Sequence, residues 1–196
     1  MRNPLRLKNL RLRFLPAALV AGLCLAWLEP RPAQTLVGAT LVALGLALRA
    51  WGAGHLVKRD SLTVTGPYAY LRHPLYAGTL LICAGFGIAL GPAGWLALAA
   101  LLSWFFVSYF PSKERRESQL LEQRYGSSYT AYRARVGALL PSLPGIQRGS
   151  TRDPDRGGAA GNARWSLARY SENNELGTAL GVVVGLALVA LRTVSL

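Results

Sequence analysis

Few residues in this chain are able to build a metal centre or a disulfide scaffold. Its 196 residues include two cysteines and two histidines, and the histidines lack the spacing of metal ligands. Both cysteines, Cys24 and Cys83, lie inside apolar runs, where cysteine acts as a small packing residue. Acidic residues are also scarce, with nine Asp and Glu against 22 Lys and Arg. The sequence therefore predicts no metal site and no disulfide framework.

The charges that are present are separated from long apolar runs. A soluble nucleic-acid-binding protein would spread its Lys and Arg over a charged surface. Here 52% of the residues are hydrophobic, and the net charge of +13 is concentrated between the apolar runs. The pattern indicates a membrane protein with one cationic face, whose partner is the membrane rather than nucleic acid.

Five apolar runs approach the roughly 20 residues that cross a bilayer core. They are Phe14–Leu28, Thr35–Ala53, Leu75–Leu90, Trp95–Phe110 and Leu176–Leu191. The sequence Gly91-Pro92-Ala93-Gly94 has the chemistry of a turn, so we expect the third and fourth runs to form a helical hairpin. We predict an all-α integral membrane protein with five transmembrane helices and cytoplasmic amphipathic helices.

Lysines and arginines are distributed unevenly between the two ends of these runs. If the five runs cross the membrane in turn, all of these residues except Arg31 and Arg192 lie on the same side as the N-terminus. The positive-inside rule therefore places the N-terminus in the cytoplasm and the C-terminus outside. If the host is bacterial, the membrane is expected to be the plasma or inner membrane. A cleavable signal peptide would also start with a basic arm and an apolar stretch, but its removal would spoil the charge asymmetry of the remaining runs.

Four segments are predicted along the chain. They are a basic cytoplasmic arm (1–13), a membrane core (14–143), a flexible linker rich in Gly, Arg, Asp and Ser (144–164), and an interfacial segment with the last span (165–196). No internal repeat divides the core further. We therefore expect one domain with a C-terminal extension.

Two amphipathic helices are predicted after the fourth apolar run. Pro111 is expected to mark a helix boundary, and Ser112–Arg124 then indicates a helix with Leu120 and Leu121 on its buried side. Gly126 is expected to end that helix. A second helix follows over Ser128–Val136.

The stretch Gly66–Gly78, GPYAYLRHPLYAG, lies at the entrance to the third apolar run. Pro74 keeps His73 out of helical geometry, so the span is expected to begin at this point. The free amides of the first turn, over Leu75–Ala77, are suited to bind an anion such as a carboxylate. Arg72 adds a forked donor for the same anion. We therefore expect a binding site where the membrane meets water.

Aromatic groups and a second charged segment complete this candidate site. Tyr68, Tyr70 and Tyr76 supply π faces that suit a purine ring or a sulfonium cation. Lys113-Glu114-Arg115-Arg116-Glu117 follows the fourth run, and the hairpin returns it to the same membrane level. A carboxylate there can accept hydrogen bonds from ribose hydroxyls or an ammonium group. The alternatives are interfacial anchoring for the tyrosines and a solvated face for the charged segment.

Together these motifs resemble the isoprenylcysteine carboxyl methyltransferase family. Gly66–Gly78 contains Arg-His-Pro-x-Tyr-x-Gly, and Arg116-Glu117 and YGSSYTAY (125–132) follow it before Leu140-Pro141. The resemblance covers about Leu48 to Pro144. It implies an integral-membrane enzyme, related to phospholipid methyltransferases, that binds S-adenosylmethionine in a cytoplasmic pocket and methylates a lipid or lipophilic small molecule.

The resemblance also implies site residues, to which the local chemistry adds Arg72. The cofactor-binding residues would be Leu62, Thr63, Tyr68, Arg72, His73, Pro74, Leu75, Tyr76 and Glu117. Lys113 and Arg116 would orient the substrate. The family often has two adjacent glutamates where this chain has Glu117-Ser118, so one carboxylate is missing, and Tyr125 replaces a common phenylalanine.

The expected reaction is direct attack of a carboxylate, amine or thiol on the sulfonium methyl group. An ionised carboxylate needs no base, whereas an amine or thiol must lose a proton, for which His73 is the candidate base. Two alternatives remain open. One is a membrane reductase that uses NADPH, since sterol-reductase-like proteins share part of this architecture. The other is a non-catalytic module that holds anionic lipid or a partner through the basic linker.

Overall fold

The computed structural model describes residues 30–57, 62–142 and 164–195. These residues form α1 (Pro32–His55), α2 (Pro74–Ala89), α3 (Gly91–Trp104), α4 (Phe110–Tyr125), α5 (Ser127–Arg135), α6 (Leu167–Glu172) and α7 (Glu175–Val194), with a 3-10 helix at Gly66–Ala69 and a π-helix at Phe105–Tyr109. Within these ranges no β-strand forms. The predicted all-helical class is therefore confirmed for the described residues.

Three stretches of the described chain are long and apolar enough to cross a membrane: Pro32–His55, Gly91–Tyr125 and Glu175–Val194. The helix α2 is apolar but shorter, with 16 residues. These four segments correspond to the second to fifth predicted runs. The first run, Phe14–Leu28, lies outside the described residues, as do the basic arm and most of the predicted linker, so the count of five spans stays a prediction.

Glycines allow α1 and α2 to pack with their backbones in contact. A Cβ added to Gly45 of α1 would lie 2.6 Å from the carbonyl oxygen of Gly78. About two helical turns away, a Cβ added to Gly85 of α2 would lie 2.5 Å from the carbonyl oxygen of Gly38. Val42 is fully buried between these two contacts. Small residues of this kind let membrane helices approach closely, so the contact fixes α2 against α1.

The hairpin between α2 and α3 forms as predicted, but its turn is shorter than expected. Leu90 alone separates the two helices, and Gly91, with φ 70°, is already the first residue of α3. Pro92 fits the first turn because a backbone donor there would have no helical acceptor. Gly94 packs against Gly87 of α2. Gly91–Gly94 is therefore a helix start rather than a loop.

Pro111 does not end the fourth apolar helix, contrary to the prediction. The helix α3, the π-helix and α4 follow one another without a break. Proline removes a donor and crowds the preceding turn, and the wider π turn, in which the Phe110 amide donates to the Phe105 carbonyl, accommodates it. The Ser112 hydroxyl donates to the Ser108 carbonyl at 2.8 Å. The charged segment therefore continues directly from the apolar span.

The helix α4 buries a different face from the predicted one. Leu120 is 65% exposed, so its predicted burial is wrong. Leu121 packs against the buried tyrosines of α5, as predicted, and Tyr125 does the same. Ser118 is 2% exposed and Glu114 lies one turn before it. These four residues share one side of the helix because they are three or four positions apart, and Leu120 lies off that side.

Gly126 ends α4, as predicted, with a φ of 53° that favours glycine. The following helix α5 matches the predicted second helix to within one residue. It buries Tyr129 and Tyr132, which form a cluster with Val136. The two helices thus fold back on each other and hold the inner face of α4 in place.

The helix α7 lies against α1 and contacts it at both ends. At one end Arg49 of α1 donates to Glu175, with Nε 3.0 Å from Oε2 and Nη2 2.6 Å from Oε1. At the other end the hydroxyls of Thr35 and Thr193 are 2.9 Å apart. The helices are therefore antiparallel. The C-terminal end of α1, the first turn of α2, the helix α4 and the start of α7 form one end of the bundle, here called the polar end.

The segment before α7 covers the last turn of α1 at the polar end. The Trp165 ring N–H donates to the Ala50 carbonyl at 3.0 Å, and the Ser166 amide donates to the Gly54 carbonyl at 3.0 Å. The Asn173 amide group donates to the Ala53 carbonyl at 2.8 Å. Carbonyls at the end of a helix lack helical donors. The predicted interfacial segment therefore supplies the partners of the α1 terminus.

Candidate active site

The site begins where the chain enters α2. Pro74 is the first residue of that helix, and His73, with φ −123° and ψ 63°, stays outside helical geometry, as predicted. The amides of Leu75 and Tyr76 precede the first helical hydrogen bond. The Ala77 amide does not share this freedom, because it donates to the His73 carbonyl at 3.1 Å. The predicted set of free amides therefore shrinks to two.

The backbone before Pro74 is held by the segment after α5. The Arg72 amide donates to the Gly137 carbonyl at 2.8 Å, and the His73 amide donates to the Ala138 carbonyl at 3.0 Å. Leu71 and Gly137 form an isolated parallel bridge. Residues 62–64, which precede the Arg-His-Pro motif, form no strand. The β-like pairing thus lies at a place that sequence patterns did not reveal.

Glu114 binds both basic side chains of the Arg-His-Pro motif. Its Oε1 accepts from Arg72 Nη1 at 2.5 Å, and its Oε2 contacts His73 Nε2. The three side chains are between 11% and 14% exposed. Ser118, one turn further along α4, donates to the same Oε1 at 3.3 Å. This cluster joins α4 to the start of α2.

The charge of Glu114 is stabilised by its partners. The residue lies beyond the apolar part of its helix, in the charged segment. Burial alone would raise the pKa of the Glu114 carboxyl, but the hydrogen bonds and charges of His73 and Arg72 outweigh this effect. The pKa is held below its ordinary value. Glu114 is therefore an ionised acceptor at neutral pH.

Arg72 is occupied largely by the protein itself. Its Nε donates to the Val136 carbonyl at 3.0 Å, and its Nη1 lies 3.5 Å from the Tyr129 hydroxyl as well as near Glu114. The predicted role of Arg72 in binding an anion stays a prediction. In the structure, Arg72 links α4, α5 and the segment after α5.

Glu117 lies at the centre of a second group of contacts, and its side chain is 36% exposed. The Tyr76 hydroxyl donates to its Oε1 at 3.2 Å, and His73 Nδ1 lies 3.6 Å from its Oε2. The Lys113 ammonium is 3.8 Å from Oε1. The structure therefore brings together four residues that the sequence assigned to the site, from two motifs about 40 positions apart. The accessible carboxylate can still accept bonds from a ligand.

Aromatic rings surround the His73 side of this group. The His73 ring lies 5.5 Å from Tyr76 and 5.6 Å from Phe110, between ring centroids. Tyr76 also lies 6.2 Å from Tyr109 and 6.3 Å from Phe105. Most of these rings come from the π-helix or its flank, and such helices often occur at functional sites. The tyrosines of the first motif were predicted from the sequence, whereas the rings of Phe105, Tyr109 and Phe110 were not.

Three buried tyrosines, Tyr68, Tyr129 and Tyr132, pack next to the site. The Tyr132 hydroxyl donates to the Tyr68 carbonyl at 2.8 Å, and the Tyr129 and Ser118 hydroxyls are 2.8 Å apart. Burial raises the pKa of both Tyr68 and Tyr132 well above the ordinary value. Both therefore stay protonated at neutral pH. Leu62, a predicted cofactor residue, packs against Tyr129 and Tyr132.

The remaining predicted residues lie around these groups. Thr63 accepts a hydrogen bond from the Val57 amide at 3.0 Å. Pro74 is fully buried next to Gly52, and the Leu75 carbonyl accepts from Arg49 Nη1 at 3.1 Å. Arg116 is exposed. No hydrogen bond or ion pair links Thr63 or Arg116 to His73 or Glu117 in the described part of the chain, and their roles stay predictions.

The part of the chain that contains this site matches a known protein family. Residues 33–128, which include the Arg-His-Pro motif and Glu117, match the family described as phospholipid methyltransferase. The chain spans about half the length of the first curated relative that it matches. No solved structure matches the chain.

Three relatives illustrate the similarity. The nickel-cobalt-cadmium resistance protein NccN of Alcaligenes xylosoxydans xylosoxydans is 31% identical over 118 residues, which cover 59% of this chain and 52% of that protein. The protein-S-isoprenylcysteine O-methyltransferase of Schizosaccharomyces pombe is 36% identical over 87 residues, which cover 44% and 36%. The protein-S-isoprenylcysteine O-methyltransferase B of Arabidopsis thaliana is 32% identical over 117 residues, which cover 53% and 57%.

The apolar helices and these matches make the chain similar to membrane methyltransferases. Residues 33–128 match the phospholipid methyltransferase family, and the chain is also similar to two proteins named as protein-S-isoprenylcysteine O-methyltransferases. The resemblance predicted from the motifs is confirmed.

Proposed function

We propose that this protein transfers the methyl group of S-adenosylmethionine to a lipophilic or membrane-associated acceptor at the cytoplasmic face of the membrane. The observation that carries the proposal is the partly exposed Glu117 carboxylate, which lies next to Tyr76 and His73 at the polar end of an apolar helix bundle. The family supports the reaction class. The names of two relatives support an acceptor of the isoprenylcysteine type.

The residues around Glu117 suit the parts of this cofactor. The carboxylate is able to accept hydrogen bonds from ribose hydroxyls or from an ammonium group. The free amides of Leu75 and Tyr76 are suited to a carboxylate. The rings of Tyr76 and Tyr109 offer π faces for a sulfonium or a purine. When bound, the cofactor supplies an electrophilic methyl group, and the protein's contribution is to orient it and exclude water.

The surroundings of His73 favour a carboxylate as the acceptor group. An amine or a thiol must lose a proton before or during attack, and His73 is the candidate base. Its Nε2 is bound to Glu114, and its Nδ1 faces Glu117. One nitrogen is therefore bound to a protein carboxylate, and the other lies next to one. An acceptor that is already ionised needs no such base.

Lys113 and Arg116 are the proposed residues that orient an anionic acceptor. Lys113 is 45% exposed beside Glu117, and Arg116 is exposed on the same helix. The exposed Lys113 ammonium lies next to Glu117, the proposed cofactor-binding carboxylate. It is able to attract the carboxylate of an acceptor without displacing a buried partner. Basic residues also concentrate at this end of the bundle, which supports a cytoplasmic site, five spans and an external C-terminus.

Calorimetry of S-adenosylmethionine binding to the detergent-solubilised protein tests this function. We expect saturable binding by the parent protein. We also expect about tenfold or greater weakening by Glu117→Gln, because a hydrogen bond to a charged acceptor is lost. The matched control is Glu122→Gln, an exposed carboxylate on the same helix, which should leave the affinity unchanged.

Failure to bind by folded parent protein would overturn the proposal. If NADPH bound instead, the reductase alternative would replace it. Equal loss of affinity in Glu117→Gln and Glu122→Gln would remove Glu117 from the site. For the acceptor, transfer of labelled methyl groups into a lipid extract, followed by mild alkali, separates esters from methylated amines and thioethers.

A further inference from the structure

We propose that Glu114 is a positioning residue that holds the His73 ring in the orientation that directs its Nδ1 toward Glu117. The proposal rests on the proposed function and deepens it, because it explains how the chain holds His73 beside the proposed cofactor residue. Glu114 acts through Arg72 and His73.

The contacts of Glu114 account for both of its oxygens. Oε1 receives Arg72 Nη1 at 2.5 Å and the Ser118 hydroxyl at 3.3 Å, and Oε2 contacts His73 Nε2. The side chain is 14% exposed. A buried carboxylate is stable only when paired and hydrogen-bonded. Its partners are the Arg and the His of the Arg-His-Pro motif, so the Glu114 carboxylate is part of the candidate site.

Ser118 lies on the same face of α4 as Glu114. Residues four apart are neighbours on a helix surface. Ser118 is 2% exposed, and its hydroxyl lies 2.8 Å from that of Tyr129, which also lies 3.5 Å from Arg72. A longer acidic side chain at 118 would start from this position beside the same arginine. The small serine leaves the space that the Glu114 carboxylate uses.

The orientation of the His73 ring follows from this contact. With Nε2 bound to Glu114, Nδ1 faces Glu117 at 3.6 Å. The ring thereby keeps its contacts with Tyr76 and Phe110. Without the carboxylate, Arg72 would keep a buried charge with fewer partners, and the His73 ring would lose the contact that fixes Nδ1 toward Glu117. Removing the Glu114 carboxylate would therefore also disturb the contact between His73 and Glu117, the proposed cofactor residue.

Moving the carboxylate along the helix tests the proposal. The full chain is prepared in detergent as the parent, Glu114→Gln, Ser118→Glu and the double variant Glu114→Gln/Ser118→Glu. S-adenosylmethionine affinity is measured for each. We expect Glu114→Gln to weaken binding about tenfold and the double variant to recover most of that loss. Ser118→Glu alone should bind no more tightly than the parent.

A second measurement does not depend on the cofactor. The chain has two histidines, His55 and His73, so the ¹⁵N spectrum of histidine-labelled protein contains few ring signals. Glu114→Gln should shift the His73 signals and leave those of His55, whose Nδ1 contacts the Trp51 carbonyl, unchanged. The double variant should return the His73 signals toward their parent positions.

Unchanged His73 signals in Glu114→Gln, or a double variant no better than Glu114→Gln in both measurements, would overturn the proposal. If Glu114→Gln does not fold, Glu114→Asp replaces it, and its shorter carboxylate should shift the His73 signals partway. A folded parent that does not bind S-adenosylmethionine would overturn the proposed function. The ring signals would still decide whether Glu114 positions His73.

Discussion

At the scale of single residues, the site depends on buried tyrosine hydroxyl groups. Tyr68, Tyr129 and Tyr132 are all buried, and each of the latter two uses its hydroxyl in a hydrogen bond beneath the Arg-His-Pro motif. Burial keeps the pKa of Tyr132 high, so the group acts as a donor over the whole neutral range. The tyrosines therefore support the backbone at Tyr68.

The Tyr132 hydroxyl is predicted to stabilise the fold. Tyr132→Phe removes its bond to the Tyr68 carbonyl and leaves a buried acceptor without that donor, so we expect a loss of about 1–3 kcal/mol and a lower midpoint of thermal unfolding in detergent. Tyr125→Phe is the control, since its ring packs on the same cluster. A similar shift for both variants would contradict the role of the hydroxyl.

At the scale of elements, two kinds of contact hold the helices together. Backbone contacts at glycines join α1 to α2, whereas polar contacts join α1 to α7. Arg49 makes polar contacts with both neighbouring helices, because besides Glu175 of α7 it also donates to the Leu75 carbonyl and, at 2.5 Å, to the Thr79 hydroxyl of α2. The first turn of α2, and therefore the site, is tied to the start of α7 through one guanidinium.

The glycine contact is predicted to be sensitive to a single methyl group. A Cβ at Gly45 would lie 2.6 Å from the Gly78 carbonyl oxygen, too close for a stable contact, so Gly45→Ala should push α2 away from α1 and lower the unfolding midpoint. Gly177→Ala in α7 is the control, because no atom lies within 4 Å of its added Cβ. Equal effects in the two variants would argue against close α1–α2 packing.

The Arg49–Glu175 pair is predicted to be strongly coupled. The side chains are 15% and 8% exposed, and removing one partner leaves an uncompensated charge. Arg49→Met or Glu175→Gln should therefore each cost about 3–5 kcal/mol. The double variant Arg49→Met/Glu175→Gln should cost clearly less than the sum. Thermal unfolding of the three variants gives the coupling free energy, and additive losses would show that the ion pair does not join α1 to α7.

At the scale of the whole molecule, sequence patterns predicted the helices, which depend on local composition. They did not predict the side-chain contacts, which depend on how the helices pack. Apolar runs and Pro74 predicted the helices and the start of α2, because length, hydropathy and proline geometry act locally. Glu114 was missed since a charged run on a helix is usually a solvated face, and its burial depends on α5 folding back over α4. The same fold-back exposes Leu120.

Missed residues were nevertheless marked by weak signals. Glu114 and Ser118 are four positions apart, and Leu121 and Tyr125 continue their face, a spacing that predicts one side of a helix. Glu175 is the acidic residue at the start of the last apolar run, where a charge in a membrane helix calls for a partner. Choosing Arg49 as that partner required the antiparallel pairing of α1 and α7.

The bundle also makes a prediction about the two faces of the membrane. Ser128, at the start of α5, lies at the polar end, whereas Ser195 follows α7 at the end where Thr35 meets Thr193. Both residues are exposed. In a background with Cys24 and Cys83 replaced by alanine, Ser195→Cys should react with a membrane-impermeant maleimide on intact cells, and Ser128→Cys should react only after the cells are opened. Labelling of both from one side would contradict a spanning bundle, and the reverse pattern would place the methyl-transfer site outside the cell.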